Sequence, residues 1–288
     1  MVPPTVAGID TRKSGDAAGR GPDDEKAVKG RRGEDRMPAL LNVQPWNWQV
    51  KLPLDDMRAM MVAAIATDRR RFTIGFVAST IYARLPALIR EFRAELPDVE
   101  LTLVESTTLD QIAALKENRI DIGFGRIRFE DPAVRRTVLR REPLIAAVPA
   151  SSSLGKDGAA VPLSALAREK LILYPSAPRP SYADQVLSLF HDNGLTPNVI
   201  HEARELQIAI GLVAAEEGVA VIPDSVRKAR ADDVRYLELV EPAHSPIIMS
   251  HRVGDFSPEI RAFMKIIARK YVDWGYAVPE ALLSDGER

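Results

Sequence analysis

Cysteine is absent from this 288-residue chain, which excludes disulfides, thiolate nucleophiles and cysteine-ligated zinc. Long apolar runs are absent too, and none approaches the ~20 residues that a membrane-spanning helix requires. The first 36 residues lack the apolar core of about 7–15 residues that a secretory signal carries, so the expected location is cytoplasmic. Net charge is almost nil: 39 Lys+Arg face 40 Asp+Glu, which denies the chain-wide basic excess common in nucleic-acid-binding domains. Histidine is scarce, and His191, His201, His244 and His251 show no metal-ligand spacing. No G-x-S-x-G elbow, phosphate-binding lysine loop or H-E-x-x-H is present. Gly123-Phe124-Gly125-Arg126 lacks the third glycine of a dinucleotide fingerprint and reads as a tight exit from a strand. Asp55-Asp56 and Asp232-Asp233 read as helix-start or loop groups rather than acid/base pairs. No catalytic site, metal site or cofactor is expected, and the chain does not read as an enzyme.

What is present divides the chain in two. Between Ile9 and Arg36, 15 of 28 positions are charged and the large apolar residues are only Ile9 and Val28, a composition that cannot offset its ordering entropy. Residues 1–54 therefore read as a disordered or atypical segment, broken further on by Pro38, Pro45 and Pro53. Residues 55–70 read as a short helix, with Met57, Met60, Met61, Ala64 and Ile65 at helical spacing and Arg69–Arg71 at its end.

From Phe72 onward, strands and helices alternate. Strands are expected at 73–77, 99–104, 120–124, 134–139, 144–148, 171–174, 198–201, 219–222, 236–240 and 246–251. The first helix carries Ile81, Leu85, Leu88, Ile89 and Phe92 on one face, and the second opens at Thr107-Thr108. Further helices fit at 163–169, 181–193, 204–215, 224–230 and 258–274. Such alternation implies right-handed βαβ units and mostly parallel sheets.

Small hydroxyl residues recur where a strand gives way to a helix: Ser79-Thr80, Ser106-Thr107-Thr108 and Ser176. Open α/β sheets bind ligands beyond the carboxyl ends of their strands, where free helix N–H groups point outward. A hydroxyl there either caps its helix or hydrogen-bonds an anion, and position alone does not choose between the two. Arg126 adds a cation at the same edge, although taken alone it reads as a solvated arginine. Together these groups suggest a pocket for a small carboxylate that is bound without being transformed, each charge-assisted hydrogen bond contributing about 1.5–3 kcal/mol.

Four segments carry a family resemblance: Thr73-Ile-Gly-Phe-Val-Ala-Ser-Thr80, Leu85-Pro86, Asp121-Ile-Gly-Phe-Gly-Arg126 and Gly211-Leu-Val-Ala-Ala-Glu-Glu-Gly218. Residues 71–274 resemble the effector-binding domain of LysR-type transcriptional regulators. Asp131–Arg136, Leu173–Pro175 and Gln207–Gly211 resemble the subgroup governing aromatic catabolism in response to cis,cis-muconate, chloromuconate or benzoate. The resemblance implies an α/β fold of two Rossmann-like subdomains joined by two crossover strands, like a type 2 periplasmic binding protein. One subdomain would hold about 71–142 and 247–274, the other about 143–246, with 275–288 as a tail. It implies an effector cleft in which Ser79, Thr80 and Thr108 serve from the first subdomain and Ser176, Pro180, Tyr182 and Leu206 from the second, with Arg126 in support. Arg140, with Glu142 as its ion partner, matches a second and more buried effector site. Tyr182 and Thr80 stand where relatives often carry phenylalanine and leucine, changes expected to make the pocket more polar.

The implied partners are a small carboxylate, further copies of the chain as a dimer or tetramer, and DNA only if a winged helix is present or supplied by another subunit. No membrane partner is implied. Leu41-Asn-Val-Gln-Pro45 faintly echoes the turn before a recognition helix, yet the Ser-Arg-Gln and Leu-Glu pattern that should follow is missing. The sequence thus supports a sensor and not a DNA reader. A solute-binding module of the same fold is the alternative.

Overall fold

The computed structural model describes Arg58 and residues 70–284, except 157, 230 and 231. Apart from Arg58, which is helical and exposed, the expectations for residues 1–54 and 55–69 lie outside the described residues. The described chain builds two hydrophobic cores.

In lobe I, strand β1 (Arg71–Phe76) lies between β2 (Glu100–Glu105) and β3 (Ile122–Gly125), parallel to both, and β3 pairs antiparallel with β9 (His244–Arg252). Helices α2 (Leu85–Glu95) and α7 (Pro258–Asp273) meet over this sheet through Phe72, Phe92, Phe124 and Phe263, whose ring centroids stand 4.9–5.9 Å apart. Helix α3 (Thr108–Lys116) contributes Ile112, Ala114 and Leu115 to a separate small cluster with Ile120 and Val134. Glycines set its distance from the sheet. A Cβ at Gly123 would stand 2.7 Å from Gln111 Oε1, and one at Gly125 2.6 Å from Thr108 Oγ1.

Lobe II gathers the core drawn from Leu144 to Ala243. It contains β5 (Lys170–Leu173) parallel to β6 (Asn198–Glu202), β7 (Ala220–Pro223) and β8 (Val234–Glu238), with the short α4 (Leu163–Leu166) and the longer α5 (Tyr182–Asp192) and α6 (Leu206–Ala214). One strand serves both lobes. β4 runs over 16 residues, Val134–Pro149; its first part pairs with β9 and its second with β7 and β8. The chain passes between the cores here and at the start of β9, where Leu144 N donates to Ala243 O.

Four sequence expectations are corrected. The separate strands at 134–139 and 144–148 are one strand, because Arg140, Arg141 and Glu142 interrupt the apolar pattern without interrupting the ladder. The sheet is mixed rather than mostly parallel, since β4 and β9 return between the lobes and every pairing they make is antiparallel. The first helix is two helices, α1 (Ala78–Tyr82) and α2, separated by Arg84 at φ 73°. Pro86, which has no N–H to continue α1, sits in the first turn of α2. Residues 224–230 form a 3₁₀ helix over Asp224–Ala229. The sequence also gave no sign of α8 (Glu280–Ser284), whose Leu282 is buried in the lobe I core.

Candidate functional site

A cleft of about 390 Å³ opens between the lobes. Lobe I supplies Ser79, from α1, and the Ser106–Thr108 turn that starts α3, with Arg126 just beyond β3. Lobe II supplies Tyr174, the proline-rich turn with Pro175, Pro178 and Pro180, then Tyr182 and Leu206.

Neither Ser79 nor Thr108 caps a helix. The cap position of α1 is Val77, and α3 is capped by Thr107, whose hydroxyl accepts from Asp110 N at 3.3 Å. Both hydroxyls instead accept from Arg126: its Nε donates to Ser79 Oγ at 2.7 Å and its backbone N to Thr108 Oγ1 at 3.3 Å. Each hydroxyl has one lone pair occupied and its own proton uncommitted among the described residues, so each is held as a donor facing the cleft. The capping alternative left open by the sequence is not the one realised.

Arg126 is itself buried, not solvated: its side chain is 2% exposed and that of Glu142 is 3%. Arg126 Nη2 donates to Glu142 Oε2 at 2.6 Å, and Ser225 N donates to Glu142 Oε1 at 2.8 Å. Burial alone would raise the Glu142 pKa. The charge of Arg126 and the hydrogen bonds from Ser225 and Arg126 outweigh it, so Glu142 sits below the ordinary carboxylate value. The direct ion partner of Glu142 is thus Arg126. The Arg140 charge also lowers the Glu142 carboxyl, while Arg140 Nη2 stands 3.5 Å from Ala83 O and its guanidinium 5.0 Å over the Tyr276 ring. Glu142 takes the inner cation, where Coulomb attraction is less screened.

Six of the expected site residues line the cleft: Ser79, Thr108, Arg126, Pro180, Tyr182 and Leu206. Thr80 does not, because its hydroxyl donates back to Val77 O at 2.8 Å within α1. Ser176 does not either; it acts through its backbone, N donating to Ala203 O and O accepting from Arg179 Nε. The expected gain in polarity is corrected as well. Tyr182 turns its hydroxyl to Val221 O at 3.3 Å, so only the apolar ring faces ligand space.

The sequence reading did not single out Tyr174, Ser181 or Arg204, all of which line the cleft. Ser181 had a legible signal, the S-x-x-D capping box that starts α5. Its hydroxyl accepts from Ala183 N and donates to Pro175 O, fixing the proline turn. Tyr174 follows the end of β5, a strand tip like those that marked the hydroxyls.

Gly125 makes the approach of α3 testable. In Gly125→Ala the new Cβ would press on Thr108 Oγ1, so a stability loss of about 1–3 kcal/mol is expected in a thermal melt. An unchanged melt would mean that Thr108 yields freely.

The lobes, the two crossings and the cleft between them define a two-lobed α/β domain of the ligand-binding kind. Residues 66–271 match the family of the LysR substrate binding domain. The chain belongs to the LysR family. It is 47% identical over 204 residues to the HTH-type transcriptional regulator CatR of Pseudomonas putida, covering 70% of each chain. It resembles the solved effector binding domain of BenM with its effector benzoate at 40% identity and TM-score 0.68, covering 73% of this chain and 96% of that one. Full-length CbnR complexed with its target DNA is similar at 27% identity and TM-score 0.65, covering 75% of this chain and 79% of that one. These relatives are regulators rather than enzymes. Among the described residues no helix is long and apolar enough to cross a membrane.

Proposed function

We propose that this chain senses a small aromatic-derived carboxylate, of the cis,cis-muconate or benzoate kind, and that occupancy of the cleft controls transcription of catabolic genes. The observation that carries this reading is the pair of uncommitted hydroxyl protons on Ser79 and Thr108, both oriented by Arg126 and both facing one cleft. A carboxylate accepts both, while the apolar surfaces of Tyr182, Pro180 and Leu206 flank a flat hydrocarbon body. The Arg126–Glu142 pair is neutral in sum, so the anion is held by hydroxyls and by the N–H groups that open α3, with the guanidinium as their support. In this proposal residues 71–274 are the sensing domain, 55–70 a linker helix, and the assembly a dimer or tetramer. DNA contact requires a winged helix, present in the chain or supplied by another subunit, and the protein is cytoplasmic in this proposal. Regulators make up the similar proteins reported above, which favours this reading over a transport module.

Calorimetry with cis,cis-muconate and benzoate tests the sensing step. Thr108→Val keeps the side chain's shape and removes its donor, and should weaken binding by about 1–3 kcal/mol. Failure of both acids to bind at millimolar concentration would end the proposal; operator retention in a gel shift tests the DNA step separately.

A further inference from the structure

Arg126 Nη1, Tyr174 OH and Ser106 Oγ are buried, have no hydrogen-bond partner, and belong to residues that line the cleft. A buried polar group without a partner costs free energy, so three on residues that line one cleft call for an explanation. For Arg126 the account is partial: Nε and Nη2 are committed to Ser79 and Glu142, which fixes the plane of the guanidinium and leaves Nη1 as a spare donor. Tyr174 stands apart because it is an aromatic side chain on lobe II, 6% exposed, with its ring centroid 5.1 Å from that of Tyr182. The two tyrosines differ in what their hydroxyls do. Tyr182 hands its proton to Val221 O, whereas the Tyr174 hydroxyl has no such partner. Burial pushes the Tyr174 hydroxyl above its ordinary pKa, while the Arg126 charge and the neighbouring Tyr182 hydroxyl act on it in the opposite sense.

We propose that the Tyr174 hydroxyl, together with the spare Nη1 of Arg126, is a specificity-determining donor in the cleft that receives an acceptor oxygen of the effector. The assignment rests on the sensing role proposed above and adds a lobe II donor to the lobe I hydroxyls. Both groups donate, so the atom they take is an acceptor: a carboxylate or carbonyl oxygen, not a hydroxyl donor or a bare ring edge. An effector that reaches both sets is tied to both lobes at once, which gives closure a differential contact to draw on.

Tyr174→Phe removes one oxygen and leaves the ring. Calorimetry of this variant with cis,cis-muconate should show affinity reduced about tenfold. Its ligand-free melting temperature should fall less than that of Tyr182→Phe, since the Tyr174 proton has no acceptor to lose. Tyr182→Phe is the companion variant. Removing a hydroxyl that bonds Val221 O should lower the melting temperature, which sets the scale for the loss of a structural hydroxyl. Equal muconate affinity in the parent and in Tyr174→Phe would overturn the assignment while leaving the sensing role intact. A fall in the Tyr174→Phe melting temperature matching that of Tyr182→Phe would also overturn it, by making the hydroxyl structural. If the parent binds neither muconate nor benzoate, the sensing role fails and the assignment with it.

Discussion

Glu142→Ala is expected to lower the free energy of unfolding by about 3–5 kcal/mol, measured by urea denaturation at neutral pH. The cost is not the attraction lost between two ions, since burying such a pair yields little net stability. It arises because Arg126, 2% exposed in its side chain, would keep its charge with no counterion, and Ser225 N would lose its acceptor. Glu142→Gln retains an oxygen for Ser225 and should fall between the parent and the alanine variant. A loss below about 1 kcal/mol in the alanine variant would mean that water reaches Arg126 and the site is not sealed. The pair also sets a pH dependence. Glu142 is held below its unfolded value of 4.5, so its contribution is complete above that value and is lost as pH falls through the lower, folded one. The parent should accordingly shed this share of its stability only on the acid side of about pH 4.5, and Glu142→Gln should lack that part of the slope.

Ser79→Ala should have the second largest effect, and it should act twice. The hydroxyl accepts from a guanidinium at 2.7 Å, so its removal strands a buried charged donor and should cost about 1.5–3 kcal/mol of stability. Its free proton faces the cleft, so effector affinity should fall by a further 1–3 kcal/mol, about five- to 150-fold. Thermal melting and calorimetry read the two losses independently. Stability falling without affinity would leave Ser79 as a prop for Arg126 alone; affinity falling without stability would break the link to Arg126.

Much of this was legible before any coordinates. The strand–helix alternation follows from apolar period alone, and the hydroxyls at strand tips mark the sheet edge at which the cleft opens. The break after Tyr82 was in principle visible in Pro86, but the apolar spacing of Ile81, Leu85 and Leu88 suits a continuous helix equally well. The unbroken β4 was hidden because Arg140, Arg141 and Glu142 look like a loop when read as composition. Glu142 is charged because it meets Arg126, a contact between residues 16 positions apart that no local pattern encodes. Side-chain direction was out of reach for the same reason. Thr80 and Tyr182 have the polarity that was read from them, yet each spends its hydroxyl on a backbone carbonyl, at Val77 and Val221. Tyr174 was passed over because a tyrosine at a strand tip fits a core as readily as a site, and only the lack of an acceptor for its hydroxyl proton distinguishes the two.

The passage of β4 and β9 between the cores bears on how the chain emerges during synthesis. Lobe II draws its core from one uninterrupted stretch, Leu144 to Ala243, and can consolidate as soon as that stretch has cleared the ribosome. Lobe I cannot, because β9 begins 120 residues after Phe124, and Phe263, which packs on three other phenylalanines, follows later still. The middle of the protein is thus ready first, and the nascent β1–β3 sheet waits with an open edge until the final strand arrives to close it.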